Sequence, residues 1–124
     1  MKKTIVCLAL LFFALSLSAQ DLQPVEVPNF KLYPTANMWT FLKLDTRNGV
    51  IRQVQFSVEG SDKRFETYLN LVPLVTKSQE CPGRFELYPT ENNYNFIMLD
   101  RVSGQAYQVQ WSQKPENRGV VPIE

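Results

Sequence analysis

The chain has 124 residues, with 13 Lys and Arg against 12 Asp and Glu, no histidine, two cysteines and 44% hydrophobic residues. Charge this nearly balanced provides no basic field for nucleic acid or for an anionic membrane surface. The lack of histidine removes the commonest general base and metal ligand.

The first residues run Lys2, Lys3, an apolar stretch from Thr4 to Leu17, then Ser18, Ala19 and Gln20 before Asp21. That charged, apolar and small-residue order is the pattern of a secretory signal peptide. The apolar run of 14 residues is shorter than the roughly 20 needed to span a bilayer. The expectation is therefore a cleaved leader over residues 1–20, cut after Ser18, Ala19 or Gln20, with no stable membrane anchor. Cys7 follows Val6 inside the run and lacks the small residue that precedes a lipid-modified cysteine. Without the leader, 11 bases face 12 acids, a net charge of −1. Cys81 is then the only thiol, so no internal disulfide can form; it sits in the turn Glu80-Cys81-Pro82-Gly83 and is read as a turn residue.

Residues 21–124 have room for a single β domain. Asp21 to Pro28 carries two prolines and reads as an extended lead-in or edge strand. Beyond it, Phe30 to Ser57 (FKLYPTANMWTFLKLDTRNGVIRQVQFS) is repeated at Phe85 to Ser112 (FELYPTENNYNFIMLDRVSGQAYQVQWS). The offset is a constant 55 residues, and 14 of 28 positions are identical, where unrelated segments match at roughly one in sixteen. The domain is a duplication with repeat units 30–57 and 85–112.

Within the first unit, Phe30 to Tyr33 predicts a strand, Pro34 to Asn37 a turn, Met38 to Asp45 a strand, Thr46 to Gly49 a turn and Val50 to Ser57 a strand. With four residues in both turns, Leu32 lies opposite Trp39 and Trp39 opposite Phe56, while Phe30 meets Phe41 and Phe41 meets Val54. That face is wholly apolar, and Leu87, Tyr94 and Trp111, with Phe85, Phe96 and Val109, repeat it. A slip of one residue would set Phe41 against Gln55. The opposite face is mixed and expected to be only partly covered, with Lys31, Tyr33, Thr40, Gln53 and Gln55 beside Leu42, Leu44 and Ile51. Arg64 to Val75 predicts a further strand limited by Pro73, and Gly119 to Ile123 fills the equivalent place after the second unit.

Each meander has an apolar face it cannot bury alone. The predicted fold is all-β: two duplicated antiparallel three-strand meanders, apolar faces together about a pseudo-two-fold axis, as a small sandwich or partly closed barrel.

Asp45-Thr46-Arg47-Asn48-Gly49 and Asp100-Arg101-Val102-Ser103-Gly104 superficially suggest calcium, but each supplies one carboxylate where a calcium loop supplies several oxygens. They are read as hairpin turns, with no metal and no cofactor expected. Tyr33-Pro34-Thr35-x-Asn37 and Tyr88-Pro89-Thr90-x-Asn92 carry ordinary turn chemistry. Their tyrosines, with the glutamines of Gln53-Val54-Gln55 and Gln108-Val109-Gln110, fall on the mixed face. A phenol stacks on a sugar or a partner while its hydroxyl makes a hydrogen bond. Tyr33, Gln53, Gln55, Tyr88, Gln108 and Gln110 are thus the candidate binding residues, expected to be exposed together, for an unknown protein or glycan.

No catalytic residue is predicted. Cys81 has no imidazole to activate it, and neither a GxSxG or SxxK motif nor a phosphate-cradling glycine loop occurs. A pair of carboxylates suffices for glycoside hydrolysis, so a small hydrolase is the alternative, as is an oligomer building block. The expectation is a non-enzymatic interaction module.

Two resemblances arise from the repeated strings. The Leu-Asp-x-x-Asn/Ser-Gly turn followed by a strand resembles the repeat of quinoprotein-type propeller blades. Two units are too few for a ring of about four or more blades, so that fold would require oligomerisation. The paired YPTxN…FxxLD…G…QVQ segments resemble those of small uncharacterised secreted proteins of Gram-negative gut bacteria, in which the duplicated unit follows a signal peptide. That resemblance covers Phe30 to Glu124 and implies a periplasmic or extracellular address, but no activity or site.

Overall fold

The computed structural model describes residues 26–124; the predicted leader, with Cys7, and the start of the lead-in lie outside the described residues. Eight strands form two antiparallel sheets, each a four-strand meander in sequential order. The first holds β1 (Phe30–Pro34), β2 (Thr40–Asp45), β3 (Ile51–Gln55) and β4 (Phe65–Tyr68); the second holds β5 (Phe85–Pro89), β6 (Asn95–Asp100), β7 (Ala106–Gln110) and β8 (Gly119–Pro122). Single 3-10 turns occur at Ser61–Lys63, Lys77–Gln79 and Pro115–Asn117. The sheets remain open and stack as a small all-β sandwich, and the further strands predicted within Arg64 to Val75 and Gly119 to Ile123 are the fourth strands β4 and β8.

The second turn of each unit has the predicted length: the Asp45 N–H donates to the Val50 carbonyl at 2.8 Å, and the Asp100 N–H to the Gln105 carbonyl at 2.8 Å. The aspartates cap these turns, Asp45 Oδ1 accepting from the Arg47 N–H at 3.0 Å and Asp100 Oδ1 from the Val102 N–H at 3.0 Å. Gly49 and Gly104 close them at φ of 81° and 82°, a region open to glycine at little cost.

The first turn differs from expectation. Pro34 pairs with Phe41, Leu32 with Lys43 and Phe30 with Asp45, four residues away from the predicted partners. Side-chain bonding holds a longer loop open: Thr35 Oγ1 donates to the Thr40 carbonyl at 2.8 Å, and Asn37 Oδ1 accepts from the Trp39 N–H at 2.8 Å. Thr90 and Asn92 repeat both bonds. Pro34 and Pro89 end edge strands, where a missing N–H breaks no ladder. A slip by an even number leaves every side chain on its predicted face.

Which face is buried also differs. Let the front face of each unit be the one predicted wholly apolar, and the back face the mixed one. The second sheet buries its front: Phe85, Leu87, Phe96, Met98, Val109 and Trp111 are all within 5% of complete burial. The first sheet buries its back, with Thr40, Leu42, Leu44, Ile51 and Gln53 entirely inaccessible. On its front, Phe30 is 51% and Leu32 60% exposed. The expected pseudo-two-fold packing of like faces is therefore replaced by a front-on-back stack. Composition gives the reason. On the front face Leu87 pairs with Met98 and Met98 with Tyr107, whereas the equivalent positions in the first sheet are Lys43 and Arg52. Lys43 contacts Glu66, and Arg52 lies 3.6 Å from the same carboxylate. Burying that cluster would strip three charges of water.

The sheets are joined by polar contacts too. Phe85 N–H donates to the Thr46 carbonyl at 2.9 Å, and Asn48 Nδ2 to Glu80 Oε1 at 2.9 Å. A side chain at Gly49 would place its Cβ 2.8 Å from Leu74 Cδ1 and 3.2 Å from the Phe85 ring.

Leu87→Ala should destabilise the fold by about 2–5 kcal/mol, and the equivalent Leu32→Ala by no more than about 0.5 kcal/mol; denaturant unfolding of both variants compares them directly. A second expectation concerns Asp100, whose burial raises its carboxyl pKa but is outweighed by hydrogen bonds from Arg84, at 3.0 and 2.9 Å, and from the turn, so that it falls from 3.8 to about 2. A depressed folded-state value means stability that is present above pH 3.8 and lost as pH falls toward 2. Thermal unfolding across that window should be less pH-dependent in Asp100→Asn than in the wild type.

Candidate functional site

The six predicted binding residues do not share one surface. Tyr33 is half-buried at the junction of the sheets, its hydroxyl donating to Glu86 Oε1 at 2.7 Å. Gln53 is fully buried; its Nε2 donates to Gln55 Oε1 at 3.2 Å, and its Oε1 accepts from the Ser112 N–H at 3.4 Å. Gln55 is half-buried at the end of β3. Tyr88 and Gln108 are exposed and Gln110 half-buried on the back of the second sheet. The front-on-back stack causes this division, because it covers the back face of one unit and leaves the same face of the other open.

What the structure does bring together is a cleft at one end of the first sheet, with a volume of about 410 Å³, where β2 begins and β3 ends. Trp39, Phe56 and Phe65 supply its apolar part, and Gln55, Glu59 and Asp62 its polar part. The Trp39 and Phe56 rings are tilted by 59° with centroids 5.1 Å apart. Backbone pairing fixes them, since the Phe56 N–H donates to the Trp39 carbonyl at 3.1 Å. Gln55 Oε1 is held by Thr40 Oγ1 at 2.6 Å, so its amide orientation is set. Glu59 Oε2 lies 2.5 Å from Lys63 Nζ, and Asp62 stands in the 3-10 turn above the cleft.

An equivalent cleft of about 440 Å³ lies at the same end of the second sheet. Tyr94 takes the place of Trp39, Gln110 of Gln55, Trp111 of Phe56, Lys114 of Glu59 and Asn117 of Asp62. Its aromatic pair is just as close, with centroids 5.0 Å apart, and the Trp111 Nε1–H donates to the Asn93 carbonyl at 3.1 Å. The two clefts share an aromatic pair beside a glutamine but differ in charge: the first carries two carboxylates and Lys63, which pairs with Glu59, and the second a lysine and amides.

Sequence reasoning missed these aromatic residues as site residues because it assigned their face to the core. Lys43 and Arg52 were the available signal, as charges midway along a supposedly buried face. Among the described residues, no group of three His, Cys, Asp or Glu side chains comes together as a metal site. No helix among them is long and apolar enough to cross a membrane.

Tyr33 has a structural duty. Burial and the adjacent Glu86 carboxylate push its phenol pKa well above the ordinary value. Glu86 is itself opposed by burial, but Tyr33 Oη and Lys31 Nζ, the latter at 3.0 Å, outweigh that and hold its carboxyl below the usual range. No family model, no curated protein and no solved structure matches this chain.

Removing the hydroxyl in Tyr33→Phe should move the Glu86 titration upward toward the ordinary glutamate range. Carboxyl-carbon NMR of the two proteins across acidic pH would detect the change, and an unmoved Glu86 would contradict the assignment.

Proposed function

We propose that this chain is an exported, non-enzymatic binding module, and that its ligand is a carbohydrate held at the cleft of Trp39, Phe56 and Phe65. One observation carries the reading: an aromatic pair beside a glutamine and polar loop residues recurs at the same place in both copies. The apolar face of a sugar ring stacks on an aromatic side chain, while amides and carboxylates at the edge bond its hydroxyls. In the first cleft Gln55, Glu59 and Asp62 fill that second role. Two clefts on one chain favour a repetitive glycan over a single small sugar, because the second contact forms at high effective concentration once the first is made. Their different charges suit chemically different segments of such a polymer. The apolar leader supports the export part of the reading.

A second reading keeps one observation in its favour. Glu59 and Asp62 face a single cleft, as the two carboxylates of a glycosidase do, so hydrolysis of the bound polymer would appear as new reducing ends, lost in Glu59→Gln and Asp62→Asn.

The chain has two tryptophans, and each lines one cleft. Titration with a panel of soluble bacterial and host polysaccharides should therefore change the intrinsic fluorescence. Trp39→Ala should weaken binding roughly three- to tenfold, the cost of one stacked ring, with circular dichroism unchanged. A panel that leaves the fluorescence unaltered, or equal affinity in Trp39→Ala, would overturn the reading.

A further inference from the structure

The contact inside the chain joins two unlike surfaces, and one example of each is left over. The first sheet's back is covered by the second sheet's front. The first sheet's front and the second sheet's back face outward. Position by position, the outward surfaces repeat the joined ones. Phe30 and Leu32 are 51% and 60% exposed where their equivalents Phe85 and Leu87 are 0% and 2%. Phe41 and Val54 stand half-buried where Phe96 and Val109 are buried. On the other side, Ile97, Leu99 and Ala106 are half-buried where Leu42, Leu44 and Ile51 are fully enclosed.

Smaller details agree. A Cβ on Gly49 would meet the Phe85 ring, whereas one on the equivalent Gly104 would meet nothing within 4 Å; Phe30 is the residue equivalent to Phe85. Glu86 already bonds Lys31, its own equivalent in the first unit.

We propose that the second sheet's back receives the first sheet's front from a second copy of this chain, by the step that relates the two sheets within one chain. The interface is head-to-tail, so it either closes into a ring or runs on as a filament. Within one chain β1 and β5 meet through Lys31 and Glu86 at 3.0 Å, and β3 reaches the end of β7 through Gln53 and the Ser112 N–H at 3.4 Å. Of the two outcomes, ring or filament, the proposal commits to the closed ring, in which the step between sheets is a rotation. Rings of this kind hold about four to eight four-strand sheets, which is roughly two to four copies. The Lys43, Arg52 and Glu66 cluster enters the contact between chains but not the one within, so assembly is weaker than folding and reversible. The clefts stay accessible in the ring, because the second cleft is already open beside a docked Trp111. The proposal is independent of the carbohydrate reading.

Sedimentation of the leader-free protein across the micromolar range should give a concentration-dependent mass reaching two to four protomers. Leu32→Asp alters only the outward front, and Ile97→Asp only the outward back. Each variant alone should be a folded monomer by sedimentation and circular dichroism. Mixed, they should form a one-to-one pair, because one intact front still meets one intact back. A wild type that stays monomeric at the highest concentration overturns the proposal. So does an Ile97→Asp protein that still self-associates, since that is the behaviour of a front-to-front dimer, or a folded pair of variants that fail to combine. Should Ile97→Asp not fold, Gln108→Arg on the same exposed face replaces it, with the same outcomes.

Discussion

Leu42, Leu44 and Ile51 share one buried core with Phe85, Leu87 and Met98, and the rest of the molecule depends on that contact between the back of one sheet and the front of the next. A sheet with one apolar face has to bury that face against another layer. Enclosing a Leu or Ile side chain contributes about 1.5–3 kcal/mol, and each sheet brings several such residues. The same contact forces Thr40 and Gln53 out of water. Their hydrogen bonds to Gln55 and the Ser112 N–H remove the penalty that unpaired buried amides and hydroxyls would carry.

Much of this was legible in the chain. The duplication, the alternation of strands and turns, and the Asp…Gly hairpins are local properties, and they follow from period-two patterning and turn chemistry. Even the wrong first register preserved the faces, because its error was an even number of residues. The choice of face was not local. Phe30, Leu32, Phe41 and Val54 form the more apolar surface, yet Lys43, Arg52 and Glu66 share it. Hydrophobicity counted along one strand does not register a charge cluster assembled across three.

The candidate site was lost for the same reason. Tyr33, Gln53 and Gln55 were grouped with Tyr88, Gln108 and Gln110 by equivalence in sequence, and a duplication invites the assumption that equivalent residues have equivalent surroundings. A front-on-back stack breaks that assumption across most of the sheet faces. Tyr33 becomes a junction residue and Tyr88 a surface residue, although both lie in the same Tyr-Pro-Thr string. Of the six candidates, only Gln55 and Gln110 keep the same half-buried state, because the sheet ends stay outside the stack.

The prolines on the edge strands bear on how such a chain avoids misassembly. Pro34 ends β1, Pro89 ends β5 and Pro122 ends β8, so three of the four open sheet edges carry a residue with no N–H to offer. The fourth, β4, is four residues long and carries Glu66. Edges blunted this way are poor templates for runaway strand addition. A chain that emerges unfolded among crowded copies of itself is thereby steered away from fibrils, and sheet faces, rather than open backbone, remain the sticky surfaces.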